Sequence, residues 1–267
     1  MGKRVVDDAS LTGVAESIRA KTGKVGALEF PEGFSAGVAD VFAAGEQSEY
    51  DRFWDAFQQN GNRTNYTYVF SGTGWTHEQL EQIKYPITFP AETSAYQCWT
   101  KGMFYYLNNG GTSHIDMTNI LSKMDFSNCQ RMYYTFMNAY VKNINLDLSN
   151  CFCLAEVFNC ADTGGKCCEN VTLKVSEKCT DYTKAFYYCT NLTNLIFVNG
   201  SVIAGIMDFT QSTKLTKASI TSIINALSAT ASGKHIVLAK TAVNNAFTTE
   251  EWTTLAGTKP NWTFYLV

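Results

Sequence analysis

Hydrophobic and polar residues recur in a fixed order through the middle of the chain. The segment from Asp125 to Phe136 matches the segment from Asp147 to Phe158 in its acidic, polar, cysteine and phenylalanine positions. A third copy with one inserted residue runs from Lys174 to Phe186, and a fourth begins at Asp208 and diverges after Leu215. Self-similarity of this kind indicates an array of similar supersecondary units.

A second pattern lies between these copies: an apolar residue, two others, and then two apolar residues one apart. It is complete at Val141/Ile144/Leu146, Cys168/Val171/Leu173 and Leu192/Leu195/Phe197, and its second half occurs at Ile115/Met117 and Ile87/Phe89. Such alternation predicts a strand with one buried face. The pattern recurs roughly every 24–29 residues, which indicates one short strand per repeat with a connection of variable length.

One strand and one turn cannot bury their apolar face alone, whereas stacked copies share a continuous core. We therefore predict an α/β solenoid of short parallel strands over residues 86–215. The recurring large core residues would be Phe104, Phe136, Phe158 and Phe186. Cys129, Cys151 and Cys179 would each occupy a tight turn that faces this core.

The predicted solenoid has flanking regions of different character. Residues 1–60 predict a helical N-terminal attachment region, with helices over residues 10–22, after Pro31 and over about 46–59. Their apolar stripes need a partner, which is either the first coil or a second copy of the chain. In the second case these helices would form a homo-oligomer. Residues 61–85 predict a strand–turn linker, because Tyr66, Tyr68 and Phe70 alternate before Ser-Gly-Thr-Gly.

The end of the chain departs from the repeat. Residues 216–267 predict a capping segment with the order helix, strand, helix, strand. The predicted elements cover residues 216–229, 236–238, 248–256 and 262–267. Solenoids require terminal units of this kind to close their core.

Composition narrows the classes of partner. Hydrophobic residues make up 45% and charged residues 17%, which excludes a disordered chain. The net charge of −3 argues against a nucleic-acid partner, and no apolar run approaches the roughly 20 residues of a membrane span. No apolar stretch follows the basic pair Lys3-Arg4, so we expect no secretory signal. The protein would be made in the cytoplasm and would reach a virion or a cell surface by another route.

All nine cysteines fall between residues 98 and 189. A zinc site would draw on Cys151, Cys153, Cys160, Cys167 and Cys168. Structural zinc sites usually use two pairs of the form C-x(2–4)-C, which this set lacks. We therefore expect the cysteines to be small apolar core residues, with no metal and no cofactor.

The chain contains neither a P-loop nor a G-x-S-x-G motif, and we expect no enzymatic activity. Ser113, His114 and Asp116 are suggestive types, but neighbours on a strand point to opposite faces, which favours solvated residues over a catalytic triad. A glycan-cleaving enzyme would need two facing acidic groups, for which Asp116 and Asp147 are weak candidates. This is the least favoured function.

Two candidate binding surfaces remain. Stacked coils would align one tyrosine of each doublet into an exposed ladder suited to glycan rings or a protein, although the rings would equally serve as packing between coils. The doublets are Tyr105-Tyr106, Tyr133-Tyr134 and Tyr187-Tyr188. The outward strand face would present polar residues that either hydrogen-bond a sugar or a peptide or, as we favour, are simply solvated. These are Asp116, Asn145, Thr172 and Asn194, with Asp147 and Lys174 beside them.

Two stretches resemble known proteins. Ala185–Phe197 resembles the repeat of BspA-type leucine-rich repeat proteins of bacterial surfaces, and degenerate copies cover roughly residues 86–215. This resemblance implies a right-handed solenoid used for adhesion or recognition without catalysis. Leu11–Gly23, Phe30–Phe34 and Glu49–Tyr66 resemble a leader of phage and prophage structural, tail-associated proteins of gut Firmicutes.

Together these features predict a recognition or adhesion module, encoded by a phage or prophage as a structural protein. Its partner would be a protein or glycan on a bacterial surface, or another protein of the particle. The alternative is a bacterial leucine-rich repeat scaffold or surface protein that binds a protein partner and has no connection with phage.

Overall fold

The computed structural model describes residues 52–94, 97–162 and 167–267. The chain divides into two compact units, Met1–Asn60 and Gly61–Val267. The helices predicted at residues 10–22 and after Pro31 lie outside the described residues. Of the helix predicted over about 46–59, residues 52–57 are helical, and a 3-10 turn follows at Gln59–Gly61.

The described residues of the second unit form short strands and short helices. The strands are β1 (Ile87–Thr88), β2 (Ile115–Asp116), β3 (Met124–Asp125), β4 (Val141–Lys142), β5 (Ile144–Leu148), β6 (Asn170–Val175), β7 (Asn194–Phe197), β8 (Met207–Phe209), β9 (Lys234–Leu238) and β10 (Trp262–Leu266). The helices are α1 (His77–Glu81), α2 (Thr118–Leu121), α3 (Lys217–Ala226), α4 (Lys240–Ala246) and α5 (Thr249–Gly257). All strand pairs are parallel, in the sheets β1–β3, β2–β4, β5–β6–β7 and β8–β9–β10. The fold is thus mixed α/β, with short parallel strands in small sheets.

A stack of phenylalanine rings runs through the core. Its members are Phe70, Phe104, Phe136, Phe158, Phe186 and Phe209. Successive ring centroids lie 5.0–5.6 Å apart and the planes are within 32° of each other. The four core phenylalanines predicted from the repeats are confirmed as a buried set. Phe70 and Phe209 extend the stack at its two ends.

The backbone around the first five stacked rings repeats one conformation, whereas Phe209 lies in β8. We call the segments from two residues before to two residues after Phe70, Phe104, Phe136, Phe158 and Phe186 the phenylalanine turns. Their first residues are left-handed: Tyr68, Gly102, Tyr134, Glu156 and Lys184 have φ between 51° and 59°. The central N–H of one turn donates to a carbonyl of the next, as from Phe104 to Thr135 (2.8 Å) and from Phe136 to Val157 (2.9 Å). Hydrogen bonds therefore stack one turn on the next without regular strands.

The strand predicted at Tyr66, Tyr68 and Phe70 is wrong, because Tyr68 and Phe70 belong to the first phenylalanine turn and Tyr66 lies two residues before it. The N–H groups of the three donate at 2.9–3.0 Å to the carbonyls of Trp99, Lys101 and Met103, which lead into the next turn. Tyr66 and Phe70 are buried while Tyr68, left-handed between them, is exposed. A two-residue alternation of burial arises in this turn as well as in a strand.

The aspartates that begin three of the repeat copies lie at the last or the penultimate position of a strand. The Oδ1 atoms of Asp125, Asp147 and Asp208 accept the backbone N–H two residues ahead at 2.8–3.0 Å. These aspartates therefore close a local turn and explain the Asp-x-Ser/Thr spacing. The chain then turns inward, and the fully buried Cys129 and Cys151 donate their N–H groups to the carbonyls three residues before. The predicted core-facing cysteine turn is confirmed.

Ser212 occupies the cysteine position of the fourth copy. Its N–H donates to the Phe209 carbonyl at 3.0 Å, as the N–H of Cys129 does to that of Phe126 at 2.9 Å. Ser212 is fully buried, and its hydroxyl has no hydrogen-bond partner in the part of the chain that the structure describes. A buried unpaired hydroxyl costs about 1–3 kcal/mol.

We expect Ser212→Cys to stabilise the protein by about 1 kcal/mol, because the thiol needs no strong partner. Chemical denaturation would measure the change in the free energy of unfolding. The matched reverse variant, Cys129→Ser, should lose a similar amount. A less stable Ser212→Cys variant would show that the buried hydroxyl is not a liability.

The predicted strand pairing is confirmed in the central sheet, β5–β6–β7. It is wrong in the two sheets formed by earlier strands, β1–β3 and β2–β4. Ile144, Val171 and Leu195 pair across β5, β6 and β7, as their spacing predicted. Ile87 pairs with Met124 and not with the strand at residue 115, and Ile115 pairs with Val141 and not with Ile144. The reason is α2, a helical turn inserted between β2 and β3.

The central sheet ends where α3 covers the edge of β7. The Oγ atoms of Ser219 and Ser222 accept the N–H groups of Leu195 and Phe197 at 3.0 and 2.8 Å. The helix thus satisfies backbone groups that another strand would otherwise pair, which blocks further pairing.

The predicted order helix, strand, helix, strand after residue 215 is confirmed as α3, β9, α5 and β10, and α4 is additional. Within the described residues, no helix has the length and apolar character needed to cross a membrane.

Candidate functional site

The tyrosine doublets do not form one row. Tyr105-Tyr106 and Tyr187-Tyr188 follow the phenylalanine of their turn, whereas Tyr133-Tyr134 precede Phe136. Each doublet is an edge-to-face pair with centroids 4.5, 4.6 and 5.4 Å apart, respectively. The expected ladder fails because equivalent positions of successive turns carry different residues.

The first turns instead bring four tyrosines together, and we call Tyr68, Tyr105, Tyr106 and Tyr134 the tyrosine cluster. Tyr68 meets Tyr105 edge-on at 5.8 Å, and Tyr134 interacts electrostatically with both of them. Tyr68 is 42% exposed and the other three are partly exposed. Sequence reasoning missed Tyr68, although it precedes Phe70 by two residues just as Tyr134 precedes Phe136.

Gly102 makes room for this cluster. A Cβ atom at Gly102 would lie 2.1 Å from Cε1 of Tyr68, and the residue is left-handed with φ +59°. Both the left-handed backbone and the ring that lies over it therefore favour glycine at this position.

A carboxylate borders the cluster. The Tyr106 hydroxyl donates to Oδ2 of Asp162 at 3.3 Å, and the Asn138 side-chain amide donates to the same atom at 3.3 Å. Loss of water contact, together with Tyr105 and Asp162, raises the pKa of Tyr106 to about 12. The phenol thus stays protonated at neutral pH, and the cluster presents apolar ring surface beside polar groups.

A row of hydrogen-bonded side chains runs from the end of β2 to the starts of β6 and β7. We call Asp116, Asn143, Asn170 and Asn194 the asparagine row. Asn143 donates to Asp116 at 2.8 Å, Asn170 to Asn143 at 3.1 Å and Asn194 to Asn170 at 2.8 Å. Asp116 and Asn194 belonged to the predicted strand face, whereas Asn143 and Asn170 were missed. Their common position directly before Ile144, Val171 and Leu195 was the available signal.

The other predicted face residues, Asn145 and Thr172, lie beside this row. With Asn143 and Asn170 they line a cleft of about 420 Å³ that the end of α2 borders. Burial alone would raise the pKa of Asp116, but hydrogen bonds from Thr118 and Asn143 lower it overall. A carboxylate therefore stands at one end of a row of amides.

The acidic and histidine candidates are engaged in other contacts. Asp147 accepts from Ser149 and pairs with Lys174 at 3.1 Å. His114 Nε2 lies 3.1 Å from the Cys167 carbonyl, and its Nδ1 lies 3.5 Å from Glu169. The oxygens of Asp116 face Thr118 and Asn143, so the structure does not assemble Ser113, His114 and Asp116 into a triad.

Three buried sulfurs converge elsewhere in the fold. The Sγ atoms of Cys160, Cys167 and Cys189 all lie within 4.8 Å of one another. The neighbouring Cys160 and Cys189 side chains, outweighing burial, hold the pKa of Cys167 well below its ordinary value. The thiol of Cys151 instead contacts the Gln130 carbonyl, and that of Cys153 contacts the Asp181 carboxylate, so the five-cysteine zinc set is not one cluster. Sequence reasoning missed Cys189.

Comparison with models of known protein families, with curated proteins and with solved structures found no match. The arrangement of the residues described above is therefore the basis for a functional proposal.

Proposed function

We propose that this chain is a non-enzymatic recognition module and that residues 86–215 wind as a leucine-rich-repeat-like solenoid of the BspA type. The parallel register of β5, β6 and β7 and the phenylalanine stack support the solenoid. Residues 68–72 add its first turn, and residues 216–267 close its core.

The tyrosine cluster is the surface that carries this proposal. Tyrosine provides flat apolar area with few rotatable bonds and a hydroxyl that shares hydrogen bonds. Stacked backbone turns hold these four rings, so little side-chain entropy is lost on binding. Exposed rings beside the Asp162 carboxylate and the Asn138 amide suit a glycan on a bacterial surface: rings stack on its apolar faces and the polar groups bond its hydroxyls.

The resemblance of the N-terminal region to phage leaders supports a place in a phage or prophage particle, with residues 1–60 as the attachment region. Neighbouring tail or baseplate genes would support this placement. Their absence would favour the alternative, a bacterial scaffold that binds a protein partner.

Binding by the cluster is tested with variants that keep the left-handed backbone. Asparagine tolerates this conformation well and already occupies it at Asn138. We expect the triple variant Tyr68→Asn, Tyr106→Asn, Tyr134→Asn to bind at least about tenfold more weakly, which is the loss of about 1.4 kcal/mol. The probes are whole cells of a panel of Gram-positive gut bacteria, their purified wall polysaccharides and a glycan array.

The matched control is Tyr188→Asn, which changes a left-handed, 40% exposed tyrosine outside the cluster. It should bind within about twofold of the wild type. Equal binding by the triple variant would remove the cluster as the site. Wild-type binding no better than background to every probe would count against the recognition function itself.

A further inference from the structure

We propose that Cys160, Cys167 and Cys189 form a binding site for a soft d10 metal cation, with zinc(II) and copper(I) as the two cations that fit its chemistry. The three sulfur atoms lie within 4.8 Å of one another. Metal–sulfur bonds of about 2.3 Å in a trigonal or tetrahedral site separate the sulfurs by similar distances. Sulfur-only donor sets select these cations over magnesium or calcium.

The position of Cys167 distinguishes this group from ordinary core cysteines. Cys129, Cys151 and Cys179 occupy the same place in successive repeat copies, where a small apolar residue suffices. Cys167 has no counterpart in those copies, and Cys168 directly after it already supplies the apolar residue of the strand pattern. The Cys167 sulfur is nevertheless fully buried and meets the thiol of Cys160, the last residue of one phenylalanine turn, and that of Cys189, which directly follows another.

The surroundings suit sulfur ligands. The backbone N–H of Asn191 donates to Sγ of Cys167 at 3.1 Å, an interaction that stabilises a metal-bound thiolate. The thiols of Cys160 and Cys189 both donate to the Phe158 carbonyl, at 3.2 and 3.0 Å. Metal binding would replace the thiol protons, which leave to solvent, and free that carbonyl.

The fourth ligand separates the two cations. Zinc(II) in a closed structural site takes four ligands; the thiol of Cys168 interacts with Cys189 but lies outside the three-sulfur group, so it would have to move toward the metal to become the fourth ligand. Copper(I) needs only the three sulfurs. The variant Cys168→Ser should therefore weaken zinc(II) binding and leave copper(I) binding unchanged.

The experiment measures metal bound to the full chain. Because the sulfurs are buried, the chain is refolded in the presence of zinc(II) or copper(I), under anaerobic, reducing conditions. Elemental analysis after chelator competition should find about one equivalent per chain in the wild type, and less than about a tenth of that in Cys160→Ala, Cys167→Ala and Cys189→Ala. Cobalt(II) in place of zinc(II) should give thiolate-to-metal charge-transfer absorption. The matched control, Cys179→Ala, removes one of the buried cysteines that occupy the same place in successive repeat copies. This variant should keep the metal.

A second measurement uses the wild type alone, in case a variant fails to fold. Pulsed alkylation in mild denaturant, read by mass spectrometry, should show that the metal slows labelling of Cys160, Cys167 and Cys189 but not of Cys129, Cys151 and Cys179. Absence of bound metal, or equal loss of metal in Cys179→Ala, would overturn the site. So would metal that protects all cysteines alike.

Discussion

Phe158→Ala is expected to lower the free energy of unfolding by about 3–5 kcal/mol. Phe158 is fully buried and stacks on Phe136 at 5.6 Å and on Phe186 at 5.3 Å. The truncation removes apolar burial, leaves a cavity, and interrupts two ring contacts in the middle of the stack. Urea denaturation followed by circular dichroism would measure the loss.

The control for this prediction is Ile206→Ala, which trims a side chain that is 41% exposed and should change stability by less than about 0.5 kcal/mol. A double-mutant cycle tests the stack itself. For leucine substitutions at the contacting pair Phe136 and Phe158, the loss of stability in the double variant should differ from the sum of the single losses by about 0.5–1.5 kcal/mol. For Phe104 and Phe158, which are not in contact, the single losses should sum to that of the double variant. A loss below about 1 kcal/mol for Phe158→Ala would mean that the stack contributes little to stability.

The features that sequence reasoning found are those that the repeat imposes at each copy. Each copy packs against similar copies above and below it. For that reason each repeats a phenylalanine that fills the core of its turn and a small residue, usually cysteine, that faces the core. The spacing of Ile144, Val171 and Leu195 predicted their pairing for the same reason. Such periodic constraints are visible in one sequence.

The features that it missed depend on a break in the repeat or on distant residues. The helical turn α2 shifted the pairing of Ile87 and Ile115, and no periodic signal marks an insertion of this kind. The tyrosine cluster depends on Gly102, which admits the ring of Tyr68 from another turn. Cys189 joins Cys160 and Cys167 only through the stacking of turns, so that cysteine spacing along the chain could not identify the group.

The second large effect is expected at a buried ion pair. Arg131 Nη1 lies 3.1 Å from Oε2 of Glu92, whose side chain is fully buried, and its guanidinium lies over the Phe152 ring at 4.2 Å. Burial raises the pKa of Glu92 above its ordinary value of 4.5, although Arg131 opposes the shift. Arg131→Leu leaves this carboxylate without its cation. We expect that variant to lose about 3–5 kcal/mol of stability near pH 7.

The loss should depend on pH with a definite sign. Because the folded-state pKa of Glu92 is raised, its contribution to stability is greatest below pH 4.5 and falls as the pH rises through the folded-state pKa. Without Arg131 that pKa rises further, so the gap between Arg131→Leu and the wild type should narrow on acidification, by up to about 1.4 kcal/mol per pH unit. Denaturation at pH 5, 6 and 7 would measure the gap. The double variant Glu92→Gln, Arg131→Leu is compared with the single variant Glu92→Gln: neither has a carboxylate at position 92, so the gap between these two should stay constant with pH. A gap for Arg131→Leu that is equally constant would show that Glu92 does not carry a buried charge at neutral pH.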